Sequence, residues 1–187
     1  MNNRFDILDT LIAGLRVLQR KPIGDNRGYL ERLFCEDELA PLLEGRHIVQ
    51  INHTLTATRG TIRGMHFQHP PYAEAKIVCC MRGEVFDVAV DLRRNSPTFL
   101  KWHAEVLSAD NFKTLFIPEG FAHGFQTLTQ NCEMLYFHTA AYQASAEEGV
   151  NPTDTRLAIA WPLPVSELSP RDTGLPMLNE TFTGIDL

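Results

Sequence analysis

The chain has 187 residues, 44% hydrophobic and 21% charged. That length predicts one domain able to bury a core without disulfide staples, and the near-average composition excludes disorder, collagen and coiled coil as whole-chain descriptions. With 17 Lys and Arg against 23 Asp and Glu, the formal net charge is -6. This argues against a non-specific binder of nucleic acid or of an acidic membrane, either of which needs a basic face.

Residues 1–20 read as a short segment of extended or mixed character. No basic stretch followed by a long apolar run marks a leader, and no window approaches the ~20 apolar residues of a membrane span, so a cytoplasmic protein is expected. Lys21 to Gly28 reads as a loop from its Pro, Gly, Asp and Asn content. Glu36 to Leu43 predicts a helix, with acidic residues at its start and Gly45 just past its end. From Arg46 onward the pattern is β. His47–Thr54, Ala75–Met81, Glu84–Arg93, Trp102–Leu107, Phe112–Ile117, Gly124–Leu128 and Cys132–Thr139 predict strands separated by turn residues. The clearest alternation places Phe86, Val88, Val90 and Leu92 on one face and Asp87, Ala89 and Asp91 on the other. Many short strands predict an all-β sandwich or barrel. The expected organisation is a single domain, 1–187, with its core at about 46–140 and peripheral segments at 1–45 and 141–187. Five prolines after Val150 predict a tail that wraps the surface with short helical turns.

The four cysteines, Cys35, Cys79, Cys80 and Cys132, form no CxxC pair. Adjacent Cys79 and Cys80 point to opposite faces of a strand, so buried free thiols are expected rather than a zinc site or a disulfide. The seven histidines raise the question of a metal. His66 and His69 are three apart, which on a strand sends them to opposite faces. Glu74 and His123 complete a ligand set only if the chain bends at Pro70-Pro71. No metal and no cofactor are expected. His47, His53, His103 and His138 read as surface or hydrogen-bonded core histidines. No G-x-S-x-G elbow, P-loop or G-x-G-x-x-G occurs. What remains is acid-base chemistry. A histidine oriented by a carboxylate can abstract a proton near neutral pH, a tyrosine can return one, and a lysine can hold an oxyanion. His66, Asp172, Tyr136 and Lys76 make such a set if the fold assembles them.

Several segments resemble one family in order. They are Arg63-Gly64-Met65-His66-Phe67-Gln68, Ala75-Lys76-Ile77-Val78, Gly83 to Arg93, Ser96-Pro97-Thr98-Phe99, Ile117 to Phe125, Leu135-Tyr136, Trp161-Pro162 and Leu168 to Asp172. Across about Asp25 to Leu178 the chain is similar to the dTDP-4-dehydrorhamnose 3,5-epimerase family. The resemblance implies a double-stranded β-helix (the cupin jelly roll), a homodimer, and a metal-independent epimerase. Its substrate is a nucleotide-linked, dTDP-type 4-keto-6-deoxyhexose, epimerised at C3 and/or C5. It implies His66 as base, Asp172 as its orienting partner, Tyr136 as acid and Lys76 as stabiliser of the C4 oxyanion. It also implies that Arg27, Gln50, Asn52, Arg63, His123, Glu147 and Arg171 contact sugar, nucleotide or diphosphate, and that Tyr142 stacks on the base. Arginine suits a diphosphate because its planar fork gives paired charge-assisted bonds.

The chain departs from the family pattern at Phe137, where Lys is frequent, at Cys79, where Arg is common, and at Arg32, which replaces an expected acid and has Glu31 beside it. These changes are expected to alter charge near the nucleotide pocket. They leave open the sugar, the nucleotide and the number of epimerised centres. A 3,4-ketoisomerase, a metal-dependent cupin and a non-catalytic sugar-nucleotide binder remain alternatives. Strict alternation would also put Arg63 and His66 on opposite faces. For both to line one cavity, an irregularity between Gly60 and Met65 is required.

Overall fold

A computed structural model describes residues 3–187. The N-terminal segment forms two strands, β1 (Phe5–Asp9) and β2 (Arg16–Arg20). The expected loop that follows is a hairpin of β3 (Ile23–Asp25) and β4 (Gly28–Leu30). Its turn explains the difference. The Asp25 carboxylate accepts the Arg27 backbone N–H at 2.9 Å, and Gly28 takes φ +132°, so turn-forming residues here reverse two strands. Helix α1 (Glu36–Leu43) stands where predicted, with Leu39 and Leu43 buried. That burial contributes about 1.5–3 kcal/mol per side chain.

Eight longer strands follow: β5 (Gln50–Thr56), β6 (Ile62–Gln68), β7 (Lys76–Arg82), β8 (Glu84–Asp91), β9 (Trp102–Ser108), β10 (Lys113–Ile117), β11 (Phe121–Thr127) and β12 (Cys132–His138). A short β13 (Glu147–Gly149) and a one-turn α2 (Pro170–Thr173) complete the chain. Strand β6 is absent from the strands read by alternation, because its polar residues mask the pattern, although Arg63 and His66 were weighed as strand positions.

The strands make two main sheets, β1-β2-β10-β7-β12-β5 and β13-β6-β11-β8-β9. The fold is the expected all-β, cupin-like jelly roll. Both sheets reach beyond residues 46–140, since β1, β2 and β13 are hydrogen-bonded into them. Val78, Cys80, Ala89, Leu115, Phe125 and Met134 pack between the sheets. Outside the six-stranded sheet, Leu39 and Leu43 of α1 cover Ile77, Cys79, Phe116 and Phe137. Outside the five-stranded sheet, Val150, Leu157 and Ile185 of the tail cover Val88, Val90 and Leu92. The apolar face of β8 therefore lies beneath the tail, and its more polar face points into the sandwich. Cys79 and Cys80 lie on opposite faces of β7. Burial pushes their thiols up to about 11 and about 12, which leaves both protonated and unreactive near neutral pH.

Candidate active site

A cavity of about 750 Å³ opens between the sheets. Registration of β7, β12 and β5 sets one wall. His138 lies opposite both Lys76 and Gln50, and Tyr136 lies opposite both Val78 and Asn52. The side-chain period of two then aims Lys76, Tyr136, His138, Gln50 and Asn52 at the same space.

The opposite wall depends on a bulge. His66 pairs with His123 and Arg63 pairs with Phe125. Three steps along β6 thus match two along β11, and both Arg63 and His66 face inward as required. Gly64 permits this. Its φ is +121°, and a Cβ there would stand 2.6 Å from Gly124 Cα and 2.7 Å from the His123 carbonyl oxygen.

The His66 ring lies 2.7 Å from Asp172, Nε2 to Oδ1. Asp172 sits on α2, where Ser169 caps the turn by accepting the Asp172 N–H at 3.0 Å. Its second oxygen accepts the Gly64 N–H at 3.3 Å. Burial alone would raise this carboxyl, but the bonds from His66, Gly64 and Ser169 hold it below its ordinary value. It is therefore an anion that fixes His66 with Nε2–H toward it and leaves the Nδ1 lone pair free. Burial raises the Tyr136 phenol well above its ordinary value, only partly offset by Thr54 at 3.5 Å, so Tyr136 carries a proton it can give.

A second histidine–carboxylate pair lies beside the first. His123 Nε2 is 3.0 Å from each oxygen of fully buried Asp87. Lys76 Nζ is 3.0 Å from Glu74. Arg63 donates to Thr56 Oγ1 at 2.8 Å, and among the described residues no carboxylate pairs with it. Its guanidinium remains available to an anion. At the mouth, Arg171 and Tyr142 both hold Glu147, at 2.6 Å and 2.7 Å. The Gln50 side chain accepts the Tyr142 backbone N–H at 3.0 Å and donates to Asn52 at 3.2 Å. Tyr142 is 54% exposed, so its ring is offered to solvent rather than packed in a core.

Eleven of the twelve residues singled out from sequence line this cavity. Arg27 does not. It lies in the β3–β4 turn, 89% exposed and paired with Asp25, so it makes no contact with the cavity of its own chain. For Cys79 and Phe137 the expected effect of the departures is also corrected. Cys79 and Phe137 alternate away from the cavity and pack beneath α1, Phe137 against Phe34. Glu31 pairs with buried Arg20, and Arg32 with Glu38. None of the four alters charge in this chain's cavity. Asp87 and Thr54 were missed as site residues, Glu74 was weighed only as a metal ligand, and His138 was read only as a hydrogen-bonded core or surface residue. Alternation already put Asp87 on the more polar face of β8, and that signal could have found it.

The family described as dTDP-4-dehydrorhamnose 3,5-epimerase matches residues 9–180 of this chain. The chain belongs to that family. A dTDP-4-dehydrorhamnose 3,5-epimerase of Salmonella typhimurium is 41% identical over 179 residues, 94% of this chain and 97% of that one. A dTDP-4-dehydrorhamnose 3-epimerase of Streptomyces niveus is 36% identical over 171 residues, covering 90% and 82%. The crystal structure of a Legionella pneumophila dTDP-6-deoxy-D-glucose-3,5-epimerase in complex with dTDP-4-keto-L-rhamnose superposes with a TM-score of 0.89 at 37% identity, covering 95% and 94%. Membership in this family makes the chain an epimerase, an isomerase by class.

Proposed function

We propose that the protein epimerises a dTDP-linked 4-keto-6-deoxyhexose at C3 and/or C5 by proton transfer through an enolate, in deoxysugar biosynthesis. The observation that carries this reading is the His66–Asp172 pair at 2.7 Å in one cavity with Tyr136 and Lys76. The C4 ketone acidifies the neighbouring C–H bonds. His66 Nδ1 takes the proton, and the C–H electron pair passes into the ring bond to C4 as the carbonyl pair moves onto oxygen. Asp172 stabilises the imidazolium formed. The Lys76 ammonium faces the enolate oxygen, which is where preorganised charge lowers such a barrier. Tyr136 gives its proton to the carbon from the other face, the carbonyl re-forms, and solvent resets both groups.

Arg63 and Arg171 suit the diphosphate, with Gln50, Asn52, His123 and Glu147 placed for sugar and nucleotide. Exposed Tyr142 suits the base. The active form in this reading is a homodimer. Edge strand β5 exposes Ile51 and Leu55, and the β3–β4 hairpin exposes Ile23, Tyr29 and Leu30, apolar surface that a second copy would cover. Arg27, outside its own cavity, then contacts substrate in the partner's.

The decisive experiment is NMR detection of solvent deuterium entering dTDP-4-keto-6-deoxyglucose, read separately at C3 and C5. Incorporation at either centre with inversion is the expected result. Absence of exchange on every nucleotide-linked 4-keto sugar tried would overturn the proposal.

A further inference from the structure

The chemistry above uses Lys76 but assigns nothing to the two titratable side chains behind it. Glu74 Oε1 lies 3.0 Å from Lys76 Nζ. Its other oxygen lies 2.9 Å from His138 Nδ1, and His138 Nε2 lies 3.4 Å from the Asn52 amide nitrogen. The side chains of Lys76, Glu74 and His138 are 10%, 9% and 10% exposed. The His138 ring also stacks on Tyr136, with centroids 6.1 Å apart and planes 19° from parallel.

The partners settle the directions of donation. An ionised carboxylate only accepts, so His138 Nδ1 carries a proton. Nε2 is then free to accept from the Asn52 amide. A continuous chain runs from the ammonium through carboxylate and imidazole to the amide. It has a consequence for Lys76. An ammonium removed from water tends to lose its proton, and an adjacent carboxylate opposes that loss. Glu74 can serve because it is itself ionised. Burial works against its charge, but the bonds from His138 and Lys76 hold the carboxyl below its ordinary value.

We propose that Glu74 and His138 are positioning residues for the epimerisation. Glu74 keeps Lys76 protonated and directed at the C4 oxygen of the substrate, and His138 holds the carboxylate of Glu74 turned toward Lys76. The inference rests on the epimerase reading and extends it to two residues that touch no reacting atom. Lys76 Nζ also lies 3.5 Å from the His66 carbonyl oxygen, and the cavity it shares is lined by the titratable side chains of Arg63 and His66 on β6, His123 on β11, Tyr136 on β12, Glu147 on β13, Arg171 and Asp172 on α2, and Tyr142 and Glu167. Strand β10, the second neighbour of β7, brings no charged side chain to the cavity. The variants below leave all of these in place.

The test is the pH dependence of kcat for deuterium exchange on dTDP-4-keto-6-deoxyglucose. Glu74→Gln preserves size and hydrogen bonding but removes the charge. Its alkaline limb is expected to move down by about 1–3 pH units, with kcat on that limb lowered by up to about tenfold per unit of displacement and KM within about twofold of wild type. His138→Phe keeps the ring against Tyr136 but loses the donor, and a smaller shift in the same direction is expected. An unmoved limb in Glu74→Gln, or a loss confined to KM, overturns the proposal. If Glu74→Gln does not fold, Glu74→Asp carries the test, since it retains the charge on a shorter arm. Its kcat must fall while its limb stays at the wild-type position, and a displaced limb overturns the proposal. Failure of the wild-type enzyme to exchange any proton overturns the epimerase reading instead.

Discussion

At the scale of the residue, each side chain of the proposed machinery has a distinct experimental signature. His66→Ala removes the base and leaves Asp172 capped by Ser169 and bonded to the Gly64 amide. Exchange at C3 and/or C5 is expected to fall by about 10²–10⁴-fold, with far-UV circular dichroism close to wild type. Tyr136→Phe retains the base and the enolate stabiliser. It is expected to keep deuterium exchange but to lose net inversion, because only the returning acid on the far face is gone. Loss of both together would deny Tyr136 that role. Gly64 is a different case, since its contribution lies in having no side chain. Gly64→Ala would drive a Cβ against Gly124 and the His123 carbonyl in a backbone conformation that disfavours any Cβ. A loss on the order of 3 kcal/mol is expected, measurable by urea unfolding. Activity should fall with it, because the same bulge turns Arg63 inward.

At the scale of the element, the sheet-end turn after β8 depends on one buried carboxylate. Asp91 is fully buried and accepts from Arg93 Nε at 2.9 Å, Arg93 Nη2 at 2.7 Å and Thr98 Oγ1 at 2.6 Å, and also from Ser96. Burial would raise it, but these donors hold it below its ordinary value. A depressed carboxyl contributes stability that is complete above its unfolded pKa of about 3.9 and is lost as pH falls through the folded value. Asp91→Asn is therefore expected to cost about 3 kcal/mol near pH 7, as removal of one partner from a buried pair does. The gap to wild type should close as the pH drops below about 4. Thermal unfolding at pH 7 and pH 3 checks both statements, and an equal gap at the two values would refute the linkage. The same strand shows what the sequence made legible. The alternation of β8 and the acidic start of α1 were readable because each follows from a local period or cap. Strand β6 was hidden from the alternation pattern, since its Arg, His and Gln erase its hydrophobic signature. The site divides likewise. His66, Lys76, Tyr136 and Asp172 stood in recognisable motifs. Glu74 with His138 arises only from the register that sets β7 beside β12, and Asp87 with His123 only from that of β8 and β11. Nothing local in the sequence reports strand register between non-consecutive strands.

At the scale of the whole molecule, the position of Arg27 gives the proposed dimer a functional test. The guanidinium is exposed on a hairpin that does not reach its own cavity, while the proposed function takes it as a substrate contact. Both statements hold together if the hairpin of one copy closes the cavity of the other. Arg27→Ala and His66→Ala would then each disable both sites of a homodimer, through different residues. In a mixed dimer the His66→Ala copy supplies an intact Arg27 to the copy that still carries His66, and one complete site is restored. Its second site carries both lesions. Random exchange of subunits places half of the population in mixed dimers, so mixing is expected to recover about a quarter of wild-type activity from two nearly inactive proteins. The recovery should appear only after subunits have exchanged, for instance by refolding them together. If Arg27 acts within its own chain or not at all, the mixture gives no more than the average of its components. The expected gain is therefore a signal that no arrangement within one chain can produce.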